Sequence, residues 1–131
     1  MIRSVIAVVD DMFFVSKIRA TGKALGMIVK FPRTLEAFRD TVEDEVPNLI
    51  IVDLHNTKVD PIALATELKS SELSKHTPLL GFFSHVQADL QRKATEAGYD
   101  EVLPRSLFAR DLAHVLAGQI RNQNQDGKTG R

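Results

Sequence analysis

The sequence predicts an α/β domain built around a doubly wound, five-stranded parallel sheet. Short runs of Val, Ile and Leu are not interrupted by polar residues, which is typical of strands that are buried on both faces. Segments with the helical spacing of apolar residues separate these runs, and the connections between them are short. Right-handed crossovers between parallel strands place helices on both faces of a sheet, so a three-layer sandwich accommodates the whole pattern.

Five apolar segments are predicted to form the strands. The second segment is mixed in character, contains Lys30 and stops at Pro32, so we expect it at an edge of the sheet. In chain order, the strands are predicted at residues 5–9, 27–31, 49–52, 78–83 and 101–103.

A helix is predicted after each strand, and turn and capping residues mark where the helices begin and end. Gly26 and Gly98 are predicted to close the first and fourth helices. Thr34 can cap the second helix, and Asp60 followed by Pro61 is an N-cap with proline at the first helical position. The apolar faces are predicted at Phe14, Ile18 and Leu25; Leu35, Phe38 and Val42; Leu64 and Leu68; Leu90, Ala94 and Ala97; and, on one last helix, Phe108, Leu112, Val115 and Leu116.

Composition favours one compact cytoplasmic domain. The 131 residues include 17 Lys and Arg against 17 Asp and Glu, so no strong field attracts nucleic acid or a membrane surface. The sequence contains no Cys, which excludes disulfides and zinc–thiolate sites, and no apolar run has membrane-spanning length. We expect a domain over residues 1–121, and then a disordered polar tail over residues 122–131, which carries no apolar residue and could equally begin a linker.

Three carboxylates are predicted to meet at one edge of the sheet. Asp10 and Asp11 follow the first strand, and Asp53 follows the third. Because open α/β sheets bind ligands outside the carboxyl ends of their strands, these residues lie where a site is expected. Like charges repel when they are close, and burying them is costly unless a cation joins them. The sequence therefore predicts a site for a hard cation and a phosphoryl group.

Four segments, in order, resemble the motifs of receiver domains from two-component response regulators. Val8-Val9-Asp10-Asp11 resembles the acidic pair of that family, and Asp53-Leu54-His55-Asn56-Thr57-Lys58-Val59-Asp60-Pro61 is similar to its phosphoacceptor loop. Ser84 stands where the family has Thr or Ser, and Gly98-Tyr99-Asp100-Glu101-Val102-Leu103-Pro104-Arg105 resembles its G-A-D-D-Y-L-x-K segment. The resemblance implies a flavodoxin-like three-layer sandwich, a signalling module that is not an enzyme, and a cytoplasmic location.

The resemblance implies a role for each acid. Asp53 would be the phosphoacceptor, and Asp11, Asp53 and the main-chain carbonyl of His55 would bind Mg²⁺ directly. Asp10 would act through water. Oxygen ligands of this number suit Mg²⁺, which keeps several waters.

The resemblance also implies partners and two further site residues. Ser84 would donate a hydrogen bond to the phosphoryl group, and Arg105 would take the place of the family's Lys. A histidine kinase or phosphotransfer protein would supply the phosphoryl group. A downstream protein would dock on the face formed by the fourth helix, the fifth strand and the fifth helix.

Several alternatives stay open at this point. The acid pair is also compatible with a solvated loop, with Asp11 in the first helical turn, and Ser84 is compatible with a simple helix cap. His55 and His85 together suggest a metal pair, although histidines without a third ligand more often face solvent.

Three departures from the family pattern leave two other functions open. Arg105 replaces Lys, Ser106 replaces the Pro that usually follows, and Val102 replaces an aromatic residue that moves on activation in many receivers. One alternative is a pseudoreceiver that binds partners without phosphorylation. The other is a small flavodoxin-like enzyme or cofactor-binding protein.

Overall fold

Five parallel strands form one sheet in the computed structural model, which describes residues 2–84 and 87–118. The strand order is β2-β1-β3-β4-β5, as the flavodoxin-like prediction requires, and the mixed second strand lies at an edge. The strands are β1 (Ser4–Val8), β2 (Ile28–Lys30), β3 (Leu49–Asp53), β4 (Leu79–Phe83) and β5 (Glu101–Pro104). Each predicted strand end therefore lies within one residue of the observed end.

Two helices begin at predicted capping residues, Thr34 and Asp60, and α1 begins after Asp11, which was expected inside the first helical turn and is instead its N-cap. Asp11, Thr34 and Asp60 each accept hydrogen bonds from main-chain N–H groups of the first helical turn. Gly26 lies just past the first helix with a φ of 73°, and Gly98 closes the fourth with a φ of 122°. The helices are α1 (Met12–Ala24), α2 (Leu35–Asp44), α3 (Pro61–Ser70), α4 (Ala88–Ala97), α5 (Arg105–Arg110) and α6 (Leu112–Leu116). No helix in the described part of the chain has the length and apolar character needed to cross a membrane.

Alternate residues of the central strands face two separate cores. Val5 and Ala7 of β1 pack with α1, α5 and α6, where Phe14, Phe82 and Phe108 contact one another. The other face of the sheet packs against α2, α3 and α4; from β1 it contributes Ile6 and Val8. Helices cover both faces of the sheet, so successive residues of the central strands are buried, and this explains the uninterrupted apolar runs. The predicted three-layer sandwich is confirmed.

The prediction of one last helix is wrong, because the helix is divided at Asp111 into α5 and α6. Asp111 has φ −106° and ψ 27°, outside regular helical geometry. Its carboxylate accepts hydrogen bonds from the adjacent Arg110, at 3.2 and 2.8 Å. Neighbouring side chains do not face each other on a regular helix, so this pairing accompanies a local break. The apolar stripe continues across it, because Phe108, Leu112 and Val115 are all buried.

The register of the sheet aligns the ends of the strands that carry the predicted site. Val8 of β1 is level with Val52 of β3, and Asp53 is level with Phe82 of β4. Phe83 is level with Pro104 of β5. The residues that follow these strands therefore emerge along one edge.

Candidate functional site

Asp53 ends β3 and is partly buried. Its Oδ1 accepts a hydrogen bond of 2.9 Å from the His55 N–H, and its carbonyl accepts one of 3.0 Å from the Asn56 N–H. Burial raises the pKa of the Asp53 carboxyl above its ordinary value, and the charge of Asp11 raises it further. The His55 N–H and the charge of Arg105 offset part of this effect. Asp53 is therefore a carboxylate that a nearby cation would stabilise.

Asp11 has two structural contacts. Its Oδ1 caps α1 by accepting hydrogen bonds from Phe13 N–H at 2.8 Å and Phe14 N–H at 3.4 Å. Its Oδ2 lies 3.8 Å from Nη2 of Arg105. Capping of α1 and a role in the site are therefore compatible for Asp11, because the cap uses Oδ1 and the contact with Arg105 uses Oδ2.

Asp10 is paired with Lys58, a residue that sequence reasoning did not assign to the site. Lys58 Nζ lies 3.4 Å from Asp10 Oδ1, and both side chains are more than one-third exposed. The pattern of strand ends could not reveal this contact, because Lys58 lies inside the loop that follows β3.

Asn56 holds that loop in place, and its role was also missed. Its Oδ1 accepts hydrogen bonds from the N–H groups of Lys58, at 2.8 Å, and Val59, at 3.0 Å. Its side-chain amide donates a long hydrogen bond of 3.5 Å to the carbonyl of Val8, the last residue of β1. Asn forms such local turns readily, so its place in the loop was the available signal.

The donor set is suitable for Mg²⁺ only in part. Among residues 2–84 and 87–118, no group of three or more Asp, Glu, His or Cys side chains is arranged to hold a metal ion. Asp11 and Asp53 are close enough for the charge of one to raise the pKa of the other, and hard carboxylate oxygens suit Mg²⁺. Two direct carboxylates with a main-chain carbonyl, and Asp10 acting through water, therefore remain the predicted arrangement.

Arg105 begins α5 directly after β5, so no loop separates it from the strand. Its guanidinium lies 4.7 Å from the centre of the Phe14 ring and is paired with Asp11. Its charge lowers the pKa of Asp53 without forming an ion pair with that residue. Arg105 therefore lies at the site, with Asp11 as its nearest carboxylate.

Ser84 follows β4 and is exposed. The alternative that it caps the following helix is wrong, because α4 begins at Ala88 and its N-cap residue is Gln87. Ser84 lines an open groove of about 370 Å³ together with Phe13, Phe14, Phe83, Pro104, Arg105, Ser106 and Ala109.

The alternative of a metal pair formed by His55 and His85 has no support from the described residues. His55 is half-buried instead of facing solvent, and His85 lies outside the described residues. The predicted tail over residues 122–131 also lies outside them.

Solved structures similar to this chain include receiver domains. A CheY-like response regulator receiver domain protein from Methanospirillum hungatei superposes with a TM-score of 0.78 at 16% identity, covering 96% of this chain and 99% of that one. The phosphorylated cyanobacterial phytochrome response regulator RcpA gives 0.75 at 17% identity, with 90% and 91% covered.

A third similar structure contains a metal. The receiver domain of a sensor histidine kinase from Pseudomonas aeruginosa, solved with a magnesium ion coordinated in its active site cleft, gives a TM-score of 0.76 at 16% identity, with 88% of this chain and 95% of that one covered. No protein-family model and no curated protein matches the sequence. The chain has the fold of response regulator receiver domains.

Proposed function

We propose that this protein is a two-component signalling receiver that accepts a phosphoryl group on Asp53 and signals by docking to a partner protein. The main support is the position of Asp53 within a receiver fold. It ends a central strand, is partly buried, and has a pKa raised by burial and by Asp11. An anionic nucleophile beside a second carboxylate and an Arg is suited to phosphoryl transfer, which depends on positioning and charge neutralisation.

In the proposed reaction, a carboxylate oxygen of Asp53 attacks phosphorus. A phosphorus–oxygen bond forms while the bond from phosphorus to the imidazole nitrogen of the donor breaks, and the electron pair stays with the imidazole. Asp11, Asp53 and the main-chain carbonyl of His55 would hold Mg²⁺, with Asp10 bound through water. When bound, Mg²⁺ would neutralise charge on the transferring group.

Ser84 and Arg105 complete the proposed site. The exposed hydroxyl of Ser84 would donate a hydrogen bond to a phosphoryl oxygen. Arg105 is held over Phe14 and beside Asp11, and its charge already lowers the pKa of Asp53, so it would pair with a phosphoryl group on that residue. A guanidinium can bind two phosphoryl oxygens at once, which an ammonium group cannot do in the same geometry.

A pseudoreceiver is the second candidate, and the two cations support it. Lys58 already pairs with Asp10, and Arg105 already pairs with Asp11. The acid pair is thus partly neutralised by the chain itself, which reduces its need for a metal. A flavodoxin-like cofactor protein has less support, because the acids after β1 would repel a phosphate that arrives without a metal.

Partners and location belong to the same proposal. The phosphoryl donor would be a histidine kinase or phosphotransfer protein in the cytoplasm. The downstream protein would dock on the face formed by α4, β5 and the predicted last helix, which the structure divides into α5 and α6, since charge balance offers no electrostatic attraction to nucleic acid. The proposed role is that of a signalling module and not of an enzyme.

Mass spectrometry of the intact protein after acetyl phosphate and Mg²⁺ tests the proposal. We expect the wild type to gain one phosphoryl mass that is lost at alkaline pH, and Asp53→Asn to gain none. Equal labelling of the two proteins would remove Asp53 from its role. If a histidine kinase also leaves the wild type unlabelled, the pseudoreceiver is favoured.

A further inference from the structure

Tyr99 is a buried aromatic residue whose hydroxyl reaches the far end of the phosphoacceptor loop, residues 54–60. It is 4% exposed and follows Gly98, the residue that closes α4. Its O–H donates a hydrogen bond of 2.9 Å to the main-chain carbonyl of Pro61, the first residue of α3. Burial, with a further effect from the charge of Asp60, raises the pKa of Tyr99, so the phenol stays protonated and can donate.

The ring of Tyr99 also lies beside the near end of this loop. A Cβ built on Gly81 of β4 would lie 2.9 Å from Cδ2 of Leu54 and 3.0 Å from Cδ2 of Tyr99. Leu54 directly follows Asp53 and is buried. The side chains of Leu54 and Tyr99 thus both pack against Gly81, and they fill the space that a side chain at position 81 would occupy. One aromatic residue is therefore adjacent to both ends of the phosphoacceptor loop.

The main chain around Tyr99 is bound to α4 and to β4. The Tyr99 N–H donates to the carbonyl of Ala94 at 3.1 Å, and the Asp100 N–H donates to the carbonyl of Leu79 at 2.8 Å. The Asp100 carboxylate accepts from Leu79 N–H at 2.8 Å and from Lys69 Nζ at 3.2 Å. A displacement of the ring would therefore act on α4 and β4 through these short contacts, and on β5, which begins two residues later at Glu101.

We propose that Tyr99 is a positioning residue that holds the phosphoacceptor loop and transmits a change at Asp53 to α4 and β5. It would supply the coupling that Val102, an aliphatic residue at the position where receivers carry an aromatic one, does not supply. The inference rests on the proposed function, because it gives a route for the signal from that site. It is a claim about Tyr99 alone, however, and can be tested without phosphorylation.

The test uses Asp53→Asn as the change at the site and amide NMR as the measurement. The shifts that Asp53→Asn causes are measured with and without Tyr99→Phe, which removes only the hydroxyl. We expect the shifts at α4 and β5 to fall to less than about half their size when the hydroxyl is absent, while those at Leu54 and His55 persist. Distal shifts of equal size in both backgrounds would overturn the inference.

Ser74→Ala is a matched control. Ser74 is also buried, and its Oγ donates a 2.9 Å hydrogen bond to the carbonyl of Leu68, near the other end of α3. Its loss should leave the distal shifts unchanged. A reduction equal to that of Tyr99→Phe would indicate general loosening and would also overturn the inference.

A second measurement needs no substitution at position 99. Tyr99 is the only tyrosine in the chain, and there is no tryptophan, so tyrosine fluorescence reports on this residue alone. We expect Asp53→Asn to change this fluorescence, and acetyl phosphate with Mg²⁺ to change it in the wild type. Unchanged fluorescence in a protein that mass spectrometry shows to be labelled would overturn the inference. Absence of labelling would count against the proposed function, and the comparison with Asp53→Asn would still decide the role of Tyr99.

Discussion

Arg105 lies over the ring of Phe14, with its guanidinium carbon 4.7 Å from the ring centre and Nη2 3.8 Å from Oδ2 of Asp11. The aromatic contact places a fixed cation beside the acidic residues, although the family's Lys is missing. Phe14 is itself buried against Phe82 and Phe108, so the core determines where this charge lies.

Arg105→Ala should slow labelling of Asp53 or shorten the lifetime of phospho-Asp53. A charge-assisted hydrogen bond to a phosphoryl group contributes roughly 1.5–3 kcal/mol where water is excluded, and less at an exposed edge. Arg105→Lys should retain much of the activity, because the charge remains. Arg110→Ala is the matched control, since Arg110 lies on the same helix as Arg105 and pairs with Asp111 instead of Asp11. Labelling rates by intact mass that are equal in all four proteins would contradict the role of Arg105.

Asp11→Asn should raise the stability of the protein without metal and weaken its response to Mg²⁺. Asn caps helices as well as Asp, so the substitution removes the repulsion from Asp53 while the cap of α1 persists. Asp11→Ala removes both charge and cap, and should lose about 1 kcal/mol through the cap. Thermal unfolding with and without millimolar-range Mg²⁺ measures both effects. If Asp11→Asn responds to Mg²⁺ as the wild type does, Asp11 is not a ligand.

Lys58→Ala should tighten Mg²⁺ binding, because the ammonium group of Lys58 is paired with Asp10 and competes with a divalent cation there. Exposed ion pairs are worth about 0–1 kcal/mol, so the increase in affinity should be no more than about fivefold. Lys75→Ala is the control, since Lys75 forms a similar surface pair with Glu72 at 3.0 Å. Calorimetric titration with Mg²⁺ compares the three proteins. An unchanged affinity in Lys58→Ala would show that Lys58 does not compete.

Asp53→Asn should stabilise the fold at neutral pH, and this gain should disappear in acid. The pKa of Asp53 is raised in the native state by burial, so the native protein binds a proton more tightly than the unfolded chain does. The contribution of Asp53 to the free energy of unfolding of the wild type is therefore greatest at low pH, and it is lost as the pH rises through the native pKa of this residue. Urea unfolding of both proteins across a pH series measures the difference. A gain that persists below the unfolded-state pKa, near 3.8, would assign the effect to something other than charge.

Much of the fold followed from local patterns. Uninterrupted apolar runs predicted five strands, and the caps at Thr34 and Asp60 predicted where two helices begin. These features were predictable because strand burial and capping depend on residues that are close in sequence. The break at Asp111 was not predicted, since the apolar stripe continues through it and only the backbone changes.

The candidate site was predictable only to the level of strand ends. The sequence by itself determined that Asp10, Asp11 and Asp53 would lie at one edge, because parallel strands share a direction. Ser84 and Arg105 were assigned to the site through the resemblance to receiver domains. Tertiary structure decided which charges pair there: Lys58 with Asp10, and Arg105 with Asp11 over Phe14. It also decided that Tyr99 reaches Pro61, 38 positions away in the chain. Such contacts depend on side-chain directions and on packing between distant elements, and no local pattern of residues encodes them.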